Sequence, residues 1–173
     1  MAITYVRLDP PVAGDGDTQE WAYFGAGASH SARIDEGCVP PNTVDTADGI
    51  RIQSADNTDE FLIGQGVADG TVGVLTYLAV AFHYTGDMEG GSTAPECDFE
   101  FYLNGAKVGD TKSVKLLGTN LTGVVVWQKS DATPFEMNLT DWIGAASRVV
   151  RIISRADAGS QFPEEPSFHT EPI

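Results

Sequence analysis

Apolar and polar residues alternate most regularly between Cys97 and Leu117. Cys97, Phe99, Phe101 and Leu103 point one way, and Asp98, Glu100 and Tyr102 point the other. That is the period of two of a half-buried strand. Asn104-Gly105 follows, and both central residues of a two-residue type I′ turn need the positive φ that this pair tolerates. The turn pairs Leu103 with Ala106 and Phe101 with Val108, so apolar meets apolar on one face. Val114 and Leu116 continue that face after a turn or bulge near Gly109-Asp110. A hairpin that is apolar on one side requires a second layer to cover it.

Shorter patterned stretches supply that layer. Strands are predicted at Ile3 to Leu8, Trp21 to Phe24, around Ser29 to Ile34, Gly49 to Ser54 and Glu60 to Gly64. Asp9-Pro10-Pro11 and Val39-Pro40-Pro41-Asn42 interrupt them, because proline removes a donor and restricts its predecessor. Asp56 to Asp59 is turn chemistry between two strands. The longest apolar run, Val72 to Thr85, is rich in Thr, Val, Tyr and Phe, and predicts one central strand buried on much of both faces. Gly123 to Lys129 and Arg148 to Arg155 complete the set, the latter with Val150 and Ile152 on one face and Arg151 on the other. Leu139 to Ile143 predicts a helical turn. Residues 157–173 hold three prolines and no periodicity, the pattern of an extended tail.

Eight to ten short strands with frequent turn signals predict an all-β antiparallel sandwich, jelly-roll-like, with extended N- and C-terminal arms. Residues 1–156 form the single domain, with 1–11 as an N-terminal arm and 157–173 as the tail. The length of 173 residues with 42% hydrophobic content is enough for one sizeable core. The 19 glycines and 9 prolines fit many turns.

Charge narrows the function. Twenty-five acids against 10 Lys+Arg leave a net charge of −15, which disfavours binding to nucleic acid phosphates. No apolar run approaches the ~20 residues of a membrane helix. The start MAITYVRLDPP lacks a basic segment followed by an apolar core, so no secretory signal is expected. Cys38 and Cys97 stand far apart without a CxxC or Cys/His spacing. Cys97 lies on the apolar face of its strand, so a buried reduced thiol is expected there. His30, His83 and His169 are scattered, and no zinc site or cofactor is expected.

Several residue groups could carry chemistry. Asp15, Asp17 and Glu20 in GDGDTQE are hard oxygen ligands on a Gly-rich loop, without the EF-hand spacing. Asp45, Asp48, Asp56 and Asp59 are a second acidic set. Polar loops are the preferred reading of both. Tyr23, Tyr77, Trp127 and Trp142 could line a carbohydrate platform, although sandwich aromatics more often fill the core. Glu96-Cys97-Asp98-Phe99-Glu100 resembles the catalytic strand of the laminarinase-like glycoside hydrolases. The resemblance implies Glu96 as nucleophile, Asp98 as its helper and Glu100 as acid/base, two carboxylates flanking a sugar bond. A Trp-rich cleft beside the motif is lacking, so the solvent face of a strand in an acidic protein is the preferred reading.

The stretch LDPPVAGDGDTQEWAYFGAGASHSARIDEG, with VDTADGIRIQS and DEFLIG after it, resembles small β-sandwich virion proteins of tailed bacteriophages. Trp21 after an acidic Gly-rich loop, Asp35-Glu36, the turn Asp45 to Asp48 and the strand Val72 to Tyr84 carry the resemblance. It implies a structural protein without catalysis: a capsid decoration or cement protein on the outer capsid surface of the virion. Its partners would be the major capsid protein and neighbouring copies of itself in a homo-oligomer, such as a trimer. The arms would make the contacts, with Tyr5, Arg7, Phe162 and Phe168 as anchors. A tail or fibre component and a carbohydrate-binding module are the alternatives, and a hydrolase using Glu96 and Glu100 is a remote one.

Overall fold

The structure, a computed structural model, describes residues 22–24, 49–51, 58–86, 96–155 and 167–172. It is built from strands β1 (Ala22–Phe24), β2 (Gly49–Arg51), β3 (Thr58–Leu62), β4 (Val74–Leu75), β5 (Tyr77–Gly86), β6 (Glu96–Leu103), β7 (Ala106–Lys115), β8 (Gly118–Gln128) and β9 (Met137–Asn138). The helix α1 (Leu139–Gly144) and strands β10 (Arg148–Arg155) and β11 (Ser167–Pro172) follow. One sheet has five strands in the order β1-β2-β11-β5-β8, and the other has four in the order β3-β10-β6-β7. A small ribbon joins β4 to β9. All pairings among the described residues are antiparallel. This is the expected all-β sandwich; the described strands do not trace a full jelly-roll path.

The hairpin β6–β7 forms as its pattern predicts. Asn104 and Gly105 both have positive φ, 51° and 78°, and Leu103 faces Ala106 while Phe101 faces Val108. The register then shifts between Phe99 and Phe101, so that Phe99 faces Lys112. Gly109, with φ 75°, lies in that bulge. The shift is two residues long, so alternation survives and Val114 stays on the apolar side opposite Cys97. Asn104 also ties the turn to the helix exit: its Oδ1 accepts from the Ala146 and Ser147 amides at 2.7 and 3.2 Å.

The inner faces of the two sheets meet in one core. Phe82 from β5 stacks on Phe99 from β6 at 4.8 Å between centroids. Phe101 is the hub at the other end, within 5.7 Å of Trp142, 5.9 Å of Phe135 and 6.4 Å of Trp127. Each of these side chains is buried. The indoles bury no unpaired N–H, as Trp127 donates to the Asp110 carbonyl (2.7 Å) and Trp142 to the Gln65 carbonyl (2.6 Å). The predicted helical turn at Leu139 to Ile143 is α1, which exists to bring Trp142 into the core. Arg148 clamps its end, donating to the Trp142 and Ala145 carbonyls at 2.7 and 3.1 Å.

Three assignments change. Val72 to Thr85 is not one strand: Val74–Leu75 pairs with β9, strand pairing is interrupted at Thr76, and β5 begins at Tyr77. Leu78 to Phe82 is buried on both faces, as predicted. Residues 157–173 are not wholly a tail, because Ser167–Pro172 inserts between β2 and β5. The domain therefore extends past 156 to include β11. Backbone pairing on both sides holds a strand that side-chain hydrophobicity does not advertise. The strands predicted at Ile3 to Leu8 and Ser29 to Ile34, and the arm at 1–11, lie outside the described residues.

Candidate ligand-binding face

The outer side of the four-stranded sheet carries the polar half of each alternating strand, with the acids Glu60, Asp98 and Glu100 themselves buried there. β6 contributes Glu96, Asp98, Glu100 and Tyr102, because Cys97, Phe99 and Phe101 take the core. β10 contributes Arg151 and Arg155, because Val150 and Ile152 point inward. In register, Arg151 lies between Glu60 of β3 and Glu100 of β6. β7 adds Lys107 and Ser113 opposite Tyr102 and Asp98.

These side chains form a cross-strand network. The Arg151 guanidinium forks onto Glu60, with Nε 2.7 Å from Oε1, and its Nη1 donates to the Tyr102 hydroxyl at 3.2 Å. The same guanidinium sits over the Tyr102 ring, 4.4 Å from its centroid. Tyr102 donates its hydroxyl proton to Glu100 Oε2 at 2.7 Å. Glu100 Oε1 accepts from Lys107 Nζ and Thr111 Oγ1, both at 2.9 Å. Asp98 accepts from Ser113 at 2.6 Å and pairs with Arg155. Glu60, Asp98 and Glu100 thus each meet a donor from a neighbouring strand, and the face is far less acidic than the chain as a whole.

The electrostatics follow. Burial alone would raise the Glu100 carboxyl, but hydrogen bonds from Tyr102, Lys107 and Thr111 outweigh it and hold Glu100 below the usual carboxylate range. Burial and the bond to Glu100 push the Tyr102 phenol up, so it remains a neutral donor. Burial, with Asp98 and Glu96 adding to it, pushes the Cys97 thiol well up, consistent with the reduced, buried cysteine expected there.

The other candidate residues fall as follows. Trp127 and Trp142, proposed for a carbohydrate platform, are 0% and 1% exposed; they are core, because their inward positions face Phe101. Tyr77 is 44% exposed at the start of β5. Asp59 faces the core, while Asp15, Asp17, Glu20, Asp45, Asp48, Asp56 and His30 lie outside the described residues, as do Tyr5, Arg7 and Phe162. Phe168, expected as an arm anchor, instead sits on β11, its backbone aligned with Ile50 and Tyr84. Among the described residues no three His, Cys, Asp or Glu side chains are grouped to hold a metal. Alternation in RVVRIISR and in the strand before Asn104 sets Arg151 and Tyr102 off the core face, but the strand order that brings β3, β10 and β6 together has no signal in the sequence.

No protein-family model matches the chain, and no curated protein matches it. Similar solved structures include SGBP-B from a complex xyloglucan utilization locus in Bacteroides uniformis, at 14% identity and TM-score 0.48, covering 97% of this chain and 49% of that one. The enzymatically active domain of tailspike protein 4 of bacteriophage CBA120 matches at 9% identity and TM-score 0.37, covering 89% and 19%. TmCBM61, solved with beta-1,4-galactotriose, matches at 12% identity and TM-score 0.30, covering 98% and 100%. The chain spans about half the length of SGBP-B.

Proposed function

We propose that this chain is a non-catalytic carbohydrate-binding β-sandwich. The structural likenesses named above fall below a TM-score of 0.5, so the reading rests on the chain's own surface. The observation that carries it is the ordered polar plane around Tyr102. A sugar offers vicinal hydroxyls and a weakly apolar C–H face. Planar side chains with fixed donors and acceptors suit the first; for the second, the part-exposed Tyr102 ring offers only the side that Arg151 does not cover. Glu60, Arg151, Tyr102 and Glu100 are already held by one another, so ligand binding pays little side-chain entropy.

Catalysis by the carboxylate pair draws no support from this arrangement. A retaining acid/base must arrive protonated, whereas three donors keep Glu100 ionised.

The test is a glycan array with the purified chain, followed by titration calorimetry on any hit. Binding that drops at least tenfold in both Tyr102→Ala and Arg151→Met, with the fold intact by circular dichroism, supports the reading. An empty array, or a hit unchanged in both variants, sinks it.

A second reading is a virion component, in the tail or on the outer capsid surface, that binds the major capsid protein and copies of itself. The uncharged, part-exposed strand β8 favours it, as a surface made for protein contact. Its test is co-purification with intact particles and the copy number found there.

A further inference from the structure

On the outer side of the four-stranded sheet the cations and the acids sit at different depths. In each pair the cation is the outer member: 54% exposed against 6% for Arg155 and Asp98, 38% against 11% for Lys107 and Glu100, and 32% against 11% for Arg151 and Glu60. Lys115 is exposed near the end of β7. It stands opposite Glu96, whose other neighbour is Arg155. Four of the ten Lys and Arg residues thus gather on one face, where they match four acids. The excess behind the net charge of −15 lies elsewhere in the chain. A ligand settling on this sheet meets guanidinium and ammonium groups before it meets a carboxylate.

Hydrogen-bond capacity points the same way. Glu100 accepts from Tyr102, Lys107 and Thr111, and Asp98 accepts from Ser113 and Arg155, so both carboxylates are already engaged. A guanidinium carries five N–H donors. Arg155 engages Asp98 through Nε, and more than half of its side chain still opens to solvent. Outward donors therefore outnumber outward acceptors, the complement of a carboxylate or sulfate group. The cations also run along β6 from the level of Tyr102 to that of Glu96, about 20 Å at the rise of a strand. A single small anion cannot span that length, whereas a chain with charges on successive sugars can. We propose that the face takes an acidic glycan, with Arg155 and Lys115 on one charged sugar and Arg151 and Lys107 on another. This rests on the carbohydrate-binding reading and names the sugar class for the same face. Screening at physiological salt acts over about 8 Å. Acids beyond that range oppose the ligand little, and the groups touching it decide.

The experiment is titration calorimetry of the full chain with an oligogalacturonate, a sulfated galactan oligosaccharide, a neutral galactan oligosaccharide of equal length and a single-stranded oligonucleotide. At least one of the acidic sugars is expected to bind at least tenfold tighter than the neutral one, and which of them binds identifies the charged group. Arg155→Gln and Lys115→Gln should each weaken that binding at least fivefold and leave the neutral sugar unchanged. If Arg155→Gln disturbs the fold through Asp98, Lys115→Gln is read alone. Affinity should fall as salt rises from about 0.1 to about 1 M, where screening shortens from about 10 to about 3 Å. A rise with salt would show that the net charge of the chain prevails over its face, and overturns the proposal. So does an oligonucleotide bound as tightly as the acidic sugar, or an acidic sugar indifferent to both variants. A neutral sugar bound as tightly as the acidic ones overturns this proposal alone and leaves the carbohydrate-binding reading standing. No glycan bound, in these titrations or on the array, sinks both.

Discussion

The Arg151 guanidinium lies 4.4 Å from the centroid of the Tyr102 ring while holding Glu60 through Nε at 2.7 Å. One side chain of β10 thereby fastens β3 to β6 across the sheet surface. Arg151→Met strands the Glu60 carboxylate, whose side chain is only 11% exposed. The expected loss is about 1–3 kcal/mol in urea denaturation, below the roughly 3–5 kcal/mol of a fully buried broken pair because Arg151 is itself partly open. Glu60→Gln/Arg151→Met should be less destabilised than the two single losses added. Strict additivity would mean that the pair is not coupled.

Glu100 makes the same network pH-dependent. Its folded pKa lies below its unfolded value, after hydrogen bonds overcome burial. Its contribution is therefore fully present above the unfolded carboxylate value of about 4.3 and is lost as pH falls through the folded value. The stability difference between wild type and Glu100→Gln should be largest above about pH 5 and shrink on acidification. A difference that grows toward acid would mean that the carboxylate is not the stabilised form.

Two glycines of the same hairpin separate backbone strain from steric conflict. Gly105 and Gly109 both have positive φ, 78° and 75°. A Cβ at Gly105 would meet nothing within 4 Å, whereas at Gly109 it would lie 2.9 Å from Trp127 Cδ1. Gly105→Ala should cost about 1 kcal/mol, the left-handed penalty alone. Gly109→Ala should cost about 1–3 kcal/mol more, because the fully buried indole must shift. Thermal melts of the two variants check this, and equal costs would show that the Trp127 ring yields freely.

Much of the sandwich could be read from the chain because alternation reports which face of a strand is apolar. β6, β7, β10, the Asn104-Gly105 turn and the bulge at Gly109 all follow from period and turn chemistry. The same alternation set Asp98, Glu100 and Arg151 outward. It could not show that Glu60 and Arg151 meet, since they stand far apart in the chain and only the order β3-β10-β6 joins them. Trp127 and Trp142 are ambiguous for a related reason: an aromatic serves a platform or a core equally well until its neighbours are known. Ser167–Pro172 was illegible because its composition is that of a tail, and backbone bonds to two neighbours leave no signature in side chains.

That last strand yields the sharpest test of the architecture. β11 aligns Ser167 and Phe168 with β2, and Ser167 to Pro172 with β5. Among the described residues it alone joins β1 and β2 to the rest of their sheet. A tail could be removed without cost, but an interior strand cannot. Deleting residues 167–173 breaks ladders on both sides, each bond worth about 0.5–1.5 kcal/mol net. At about 2–4 °C per kcal/mol for a chain of this size, the melting temperature should drop by roughly 10 °C or more. The peptide SFHTEPI added in trans should restore part of that loss, as an extended segment can re-enter the gap by strand addition. A truncated chain with an unchanged melting temperature would mean that Ser167–Pro172 is an arm after all.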